Sequence, residues 1–182
     1  MKKIAIATIL AVASLTASAT SYLSVDVEKV SGRDGAGDST AQYIRAGKEI
    51  GGIQYGLQGR TATLDNGGML SSVEVTAAKK GLSFLGLSPF VGVGHDNGFN
   101  GGTSYNYGLV GATTGAKIGP GYLLAGVKTR VGSSETNRTK QTVAFTTYSV
   151  PVTKGVAVNL NLSRSYQEIK ENAMGLGLSF SF

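Results

Sequence analysis

Cysteine is absent from the 182 residues, histidine occurs once and proline three times. Without cysteine there is no disulfide scaffold, and with a single histidine the usual ligand sets of structural zinc are missing too. So few prolines beside 27 glycines exclude a collagen-like or proline-rich linker composition. Beyond Ala19 no run of eighteen apolar residues occurs, so no membrane-spanning helix is expected. Nor does that region carry a convincing helical period. Mean hydropathy is +0.05, the near-zero value expected when apolar and polar residues alternate along strands.

What is present begins with the leader. Lys2 and Lys3 precede an uncharged apolar run from Ile4 to Leu15, and Ala17-Ser18-Ala19 follows as an A-x-A cleavage site. Charge, run length and small residues together read as a Sec signal peptide over 1–19, leaving 20–182 as one domain. All 27 glycines lie beyond the leader. Losing Lys2 and Lys3 lowers the formal net charge from +6 by two, and the remaining excess is spread along the chain. Nucleic-acid binders gather their basic residues on one face, so nucleic acid is not an expected partner; an anionic membrane surface is the more natural one.

The rest alternates with period two, the signature of strands. Met174, Leu176, Leu178, Phe180 and Phe182 share one face, with Gly175, Gly177, Ser179 and Ser181 on the other. Val156, Val158, Leu160 and Leu162 likewise oppose Ala157, Asn159, Asn161 and Ser163. The same pattern runs through 53–60, 72–77 and 122–131. It predicts ten strands, near 21–30, 41–48, 52–62, 69–79, 88–95, 105–117, 121–131, 140–150, 155–165 and 172–182, or eight if one hairpin is misread. In the eighth, Val143 and Phe145 share a face with Ser149, which predicts a bulge or a shifted boundary. Long polar connections (31–40, 64–68, 95–104, 132–140, 166–172) alternate with tight ones. That asymmetry fits an all-β fold, a closed antiparallel up-and-down transmembrane β-barrel with long loops at one end and short turns at the other. A soluble β-sandwich also alternates.

The C-terminus separates the two. The chain ends in G-x-x-F-x-F, from Gly177 through Phe180 to Phe182, which resembles the terminal signal by which Gram-negative outer-membrane barrels are recognised by the barrel-assembly machinery. Family members usually carry a polar residue where this chain has Gly175. YIRAGKEIGGIQYGLQGR at 43–60 resembles the strand–turn–strand of small OmpA-like and opacity-type barrels, and SPFVGVGHDNG at 88–98 resembles a strand rising into a surface loop. The resemblance implies residence in the cell outer membrane.

Chemistry is sparse. His95 stands beside Asp96, but adjacent strand residues face opposite ways. Omptin-type proteases carry Asp-x-His and paired aspartates, and outer-membrane lipid A deacylases carry His-x-Ser-Asn; neither is matched. No catalytic, cofactor-binding or metal residues are therefore assigned, and no cofactor is expected. Asp26, Arg60, Glu74, Lys128 and Arg130, with Arg45 as a further candidate, are expected to point into a narrow lumen and pair there, since an unpaired charge is costly. Arg33, Arg138 and Lys140 are candidates for contacts with lipopolysaccharide phosphates. Tyr22, Tyr105, Tyr107, Tyr122 and Tyr148 are read as interfacial girdle aromatics. These readings describe a non-enzymatic barrel with a structural or surface-interaction role and a plugged lumen, with outer-membrane lipid and lipopolysaccharide as its surroundings. A narrow porin-like channel is the alternative, and an outer-membrane hydrolase a third reading. The extracellular partner is not specified by the sequence.

Overall fold

A computed structural model of the chain describes residues 21–32, 37–65, 67–97, 104–132, 140–167 and 170–182. The leader at 1–19, Arg33 and Arg138 lie outside the described residues. Ten strands follow one another: β1 (Ser21–Gly32), β2 (Ser39–Ile50), β3 (Ile53–Leu64), β4 (Met69–Lys79), β5 (Ser88–Asp96), β6 (Tyr105–Ile118), β7 (Gly121–Gly132), β8 (Lys140–Thr153), β9 (Val156–Gln167) and β10 (Glu171–Ser181). Each pairs antiparallel with its sequence neighbours, and β1 pairs with β10 to close the barrel. Closure leaves no edge strand, so each strand has a hydrogen-bonding neighbour on both sides.

Alternation decides which way each side chain faces. Val25, Val27, Val73, Val75, Val91, Val93, Leu176 and Leu178 point outward and are exposed. A continuous apolar exterior of this kind requires an apolar surrounding, and the barrel is a membrane-spanning one. Met174, Leu176, Leu178, Phe180 and Phe182 lie on that outer face, as the period of the last strand predicts. No helix among the described residues is long and apolar enough to cross a membrane.

The two ends differ. At one end three connections take two residues each, 51–52, 119–120 and 154–155, and the fourth, between β4 and β5, takes 80–87. Gly51 and Gly52 both have positive φ, 59° and 78°, the backbone that a two-residue hairpin between right-twisted strands requires and that only glycine takes without strain. At the opposite end no connection is as short as two residues; they are 33–38, 65–68, 97–104, 133–139 and 168–170.

The register of β8 against β9 is regular from Gln141 to Pro151 and breaks between Pro151 and Thr153. The eighth strand thus carries the expected irregularity, placed at its far end, and its boundary is shifted from 150 to Thr153, while the stretch through Val143 and Phe145 is regular. Val143 and Phe145 both face the lumen, and Gly126, the cross-strand partner of Phe145, leaves the space the Phe145 ring occupies.

The girdle reading also changes. Tyr22, Tyr105, Tyr107 and Tyr122 face the lumen, and only Tyr148 of the five faces outward. The ring of Tyr22 lies over Gly47, that of Tyr107 over Gly94 and that of Tyr122 over Gly115. A strand-end aromatic can turn inward wherever a neighbouring strand offers a glycine to cover. Outward, Tyr148 donates its hydroxyl to the Ile118 carbonyl at 2.9 Å. Tyr55 and Tyr166 share its outward orientation.

Inside, Val30, Ala41, Ala62 and Leu70 form a small buried apolar cluster toward the long-loop end, with Tyr43 and Ala173 packed against it. Below it the lumen is polar.

Candidate functional site

The lumen holds the concentrated chemistry of the molecule, and its residues come from the inward positions of eight strands. On β1, Ser24, Asp26 and Glu28 point inward and are buried. Arg45 of β2 reaches both acids, with Nη1 2.5 Å from Asp26 Oδ2 and Nη2 3.2 Å from Glu28 Oε1. Ser24 donates to Asp26 Oδ2 at 3.0 Å, and Asn161 of β9 donates to its Oδ1 at 2.8 Å. Asp26 thus accepts from three strands and is 1% exposed. The Arg45 guanidinium also lies 4.3 Å above the Tyr43 ring.

A second centre forms on Glu74 of β4. Its Oε2 lies 2.6 Å from Lys128 Nζ and its Oε1 2.5 Å from Arg130 Nη2. Tyr107 donates its hydroxyl to the same Oε1 at 3.0 Å, and Arg130 Nη1 donates to Gln141 Oε1 at 2.6 Å. Both cations come from β7, across the lumen from β4.

Gln58 of β3 joins the two centres. Its carbonyl oxygen accepts from Arg45 Nε at 2.9 Å, and its amide nitrogen donates to Glu74 Oε2 at 3.2 Å. The result is one hydrogen-bonded chain from Asn161 through Asp26, Arg45, Gln58, Glu74 and Arg130 to Gln141. Three carboxylates meet three cations in it, so its formal charge is balanced. In a low-dielectric interior such a network is held firmly because each member would be costly to leave alone.

Asp26 and Glu74 are thus brought together through Arg45 and Gln58, and Lys128 and Arg130 sit directly on Glu74. Arg60 stands apart from the network. It pairs across strands with Tyr43, its guanidinium 5.8 Å from that ring, and its buried Nε has no hydrogen-bond partner among the described residues. Glu28, Gln58 and Asn161 were not expected in the charge network, and Tyr107 was read as a girdle aromatic. The inward phase of β1 held the signal for Glu28, two residues from Asp26. The role of Gln58 depends on which strands lie side by side, which alternation within one strand does not carry.

Glycine explains how the acids fit. A Cβ on Gly177 would run into the Asp26 carboxylate, and one on Gly175 into the Glu28 side chain. Each is the cross-strand partner of the acid it accommodates, Asp26 with Gly177 and Glu28 with Gly175. The glycine of the G-x-x-F-x-F ending therefore has a packing role in the wall. Phe180 pairs with Leu23, and Phe182 exchanges backbone hydrogen bonds with Ser21 at 3.0 and 3.4 Å. Lys140 opens β8.

His95 faces outward, its Nδ1 2.8 Å from Asn106 Oδ1 and its Nε2 2.9 Å from Asn97 Oδ1. Asp96 faces inward and is buried. Among the described residues no group of three or more His, Asp or Glu is placed to hold a metal.

No protein-family model and no curated protein matches the chain. Solved structures do resemble it. The β domain of the Bordetella autotransporter BrkA is 11% identical, with 91% of this chain and 100% of that one covered and a TM-score of 0.54. The translocator domain of the autotransporter NalP from Neisseria meningitidis is 11% identical, with 100% and 96% covered and a TM-score of 0.52. Neisserial surface protein A is 14% identical, with 91% and 100% covered and a TM-score of 0.47. At such identities the first two comparisons establish a shared fold, the closed β-barrel of outer-membrane proteins.

Proposed function

We propose that this chain is exported through a cleaved signal peptide, is inserted into the outer membrane by the barrel-assembly machinery through its Gly177–Phe182 ending, and serves there as a non-enzymatic structural or surface-interaction barrel. One observation carries the reading of the lumen. The Gln58-bridged network runs from β9 around to β8 and crosses the interior where Lys128 and Arg130 meet Glu74. Side chains locked together across the bore leave ions no continuous water path. Porins with an open channel use about 16–18 strands, and ten enclose a much narrower space.

The hydrolase reading loses support from His95, which is turned to the outside between two asparagine amides and away from Asp96. Interaction then falls to the long-loop end, where Arg33, Arg138 and Lys140 are placed by the sequence as contacts for lipopolysaccharide phosphate. The test is electrical. Refolded barrel reconstituted into planar bilayers should produce no steady ionic current above that of bare lipid. Regular single-channel steps in the wild type would replace this reading with the narrow-channel one.

A further inference from the structure

The outer wall carries a groove that follows the register of the sheet. One row of outward residues runs across five strands as Ala125, Thr146, Leu162, Met174 and Lys29, each the cross-strand partner of the next. The adjacent row runs Val127, Ala144, Arg164, Asn172 and Ser31 through the same pairings. Between them lies a depression of about 610 Å³, within the size range of small-ligand sites, about 300–1,000 Å³. Its floor is low where β7 and β8 contribute Ala125 and Ala144, and its walls are Leu162 and Met174.

The groove is graded along its length. Ala125 lies near the middle of β7, whereas Lys29 and Ser31 lie toward the long-loop end of β1. The lower part is therefore lined by the small side chains of Ala125 and Thr146 beside the apolar Leu162 and Met174. The upper part gathers two cations and two neutral polar groups, Lys29, Arg164, Asn172 and Ser31, all of them exposed. Among the described residues Lys29 pairs with Asp65, at 3.4 Å in an exposed pair, and Arg164 lies 5.6 Å from the Tyr166 ring. Exposed pairs of this kind are weak and yield readily to a better partner.

We propose that this groove seats a phosphorylated lipid of the outer leaflet, with the phosphate held by Lys29 and Arg164 and one acyl chain laid along Met174 and Leu162 toward Ala125. The inference rests on the outer-membrane reading, which makes the long-loop end the outer surface. Polarity then runs the same way in the groove as in the leaflet, with the head uppermost and the chain descending. A guanidinium and an ammonium together suit a phosphate, the first as a planar fork and the second as a point charge. A zwitterionic phospholipid satisfies the apolar part but brings a singly charged phosphodiester with its own ammonium beside it, and an uncharged lipid leaves the two cations without a counter-charge.

Native mass spectrometry of the refolded barrel in detergent tests this, with diphosphorylated lipid A as the probe and phosphatidylethanolamine and inorganic phosphate as comparisons. Wild type should retain one lipid A through detergent activation, at least tenfold more than phosphatidylethanolamine, and should not retain free phosphate. The double variant Lys29→Ala/Arg164→Ala should lose that preference. Ala144→Phe, which fills the groove from outside and touches no lumen residue, should lose retention while keeping the two cations. Folding of each variant is checked by its shifted mobility on unheated gels. Equal retention of lipid A by wild type and both folded variants would overturn the groove and leave the membrane reading standing. A mature chain that stays soluble and monodisperse without detergent would overturn the membrane reading itself.

Discussion

At the scale of single residues, the molecule depends on where side chains are missing as much as on where they are. Gly177 leaves the space that the Asp26 carboxylate occupies, and a methyl group there would meet that carboxylate and the Val25 carbonyl. Gly177→Ala must push Asp26 off Arg45 or bend the wall, and overpacking of this kind costs roughly 1–3 kcal/mol. Gly108 faces outward with nothing within 4 Å of an added Cβ, so Gly108→Ala should fall within about 0.5 kcal/mol of wild type. Urea unfolding in detergent micelles, followed by tyrosine fluorescence, compares the two; equal effects would contradict the packing role of Gly177. Glu74 is the second sensitive point. Glu74→Ala removes the one carboxylate shared by Lys128 and Arg130 and should cost about 3–5 kcal/mol in the same assay, as breaking a buried pair does. A loss below about 1 kcal/mol would mean that lumen water solvates the two cations well enough to replace it.

At the scale of elements, much was legible in the chain. Each strand lies within about three residues of its expected bounds, because outward positions answer to an apolar surrounding and inward positions do not, and period two records that difference directly. Alternation also placed Asp26, Glu74, Lys128 and Arg130 on the inner face. It was silent on partners. Arg60 has the right phase but faces Tyr43 across the strand pair, whereas Gln58, an uncharged residue, bridges the charges. The aromatics misled for the same reason. Tyr107 looks like a strand-end girdle residue until Gly94 is found beside it on β5. One expectation belongs to β10 as a unit. Leu178 is outward, well inside the strand, paired with Val25 on one side and Val158 on the other. Leu178→Arg should lower stability by roughly 2–4 kcal/mol, read from urea unfolding in phospholipid vesicles. A neutral effect there would mean that this face of β10 does not meet hydrocarbon.

At the scale of the whole barrel, the proposed plug has two layers in series along the lumen. The first is the apolar cluster of Val30, Ala41, Ala62 and Leu70, and the second is the charge-balanced network beneath it. They predict different behaviour when the network alone is cut. Removing both Gln58 and Glu74 side chains, as Gln58→Ala/Glu74→Ala, disconnects Arg45 from the β7 cations and takes one negative charge out of the bore. In mildly acidic solution Lys128 and Arg130 then keep their charge without the carboxylate, with Arg60 nearby on β3, and Asp26 and Glu28 remain bound to Arg45. Any path that opens is lined by an excess of positive charge, which favours anions, because a low-dielectric wall focuses the field of its fixed charges on the permeating ion. Planar-bilayer recordings of the double variant in a potassium chloride gradient should therefore show small steps whose reversal potential lies on the chloride side, where the wild type shows none. Steps that favour potassium would contradict the charge assignment of the lumen. A variant that is folded by gel mobility yet stays silent would assign the seal to the apolar cluster, and adding Leu70→Ala to it should then release the same anion-favouring current.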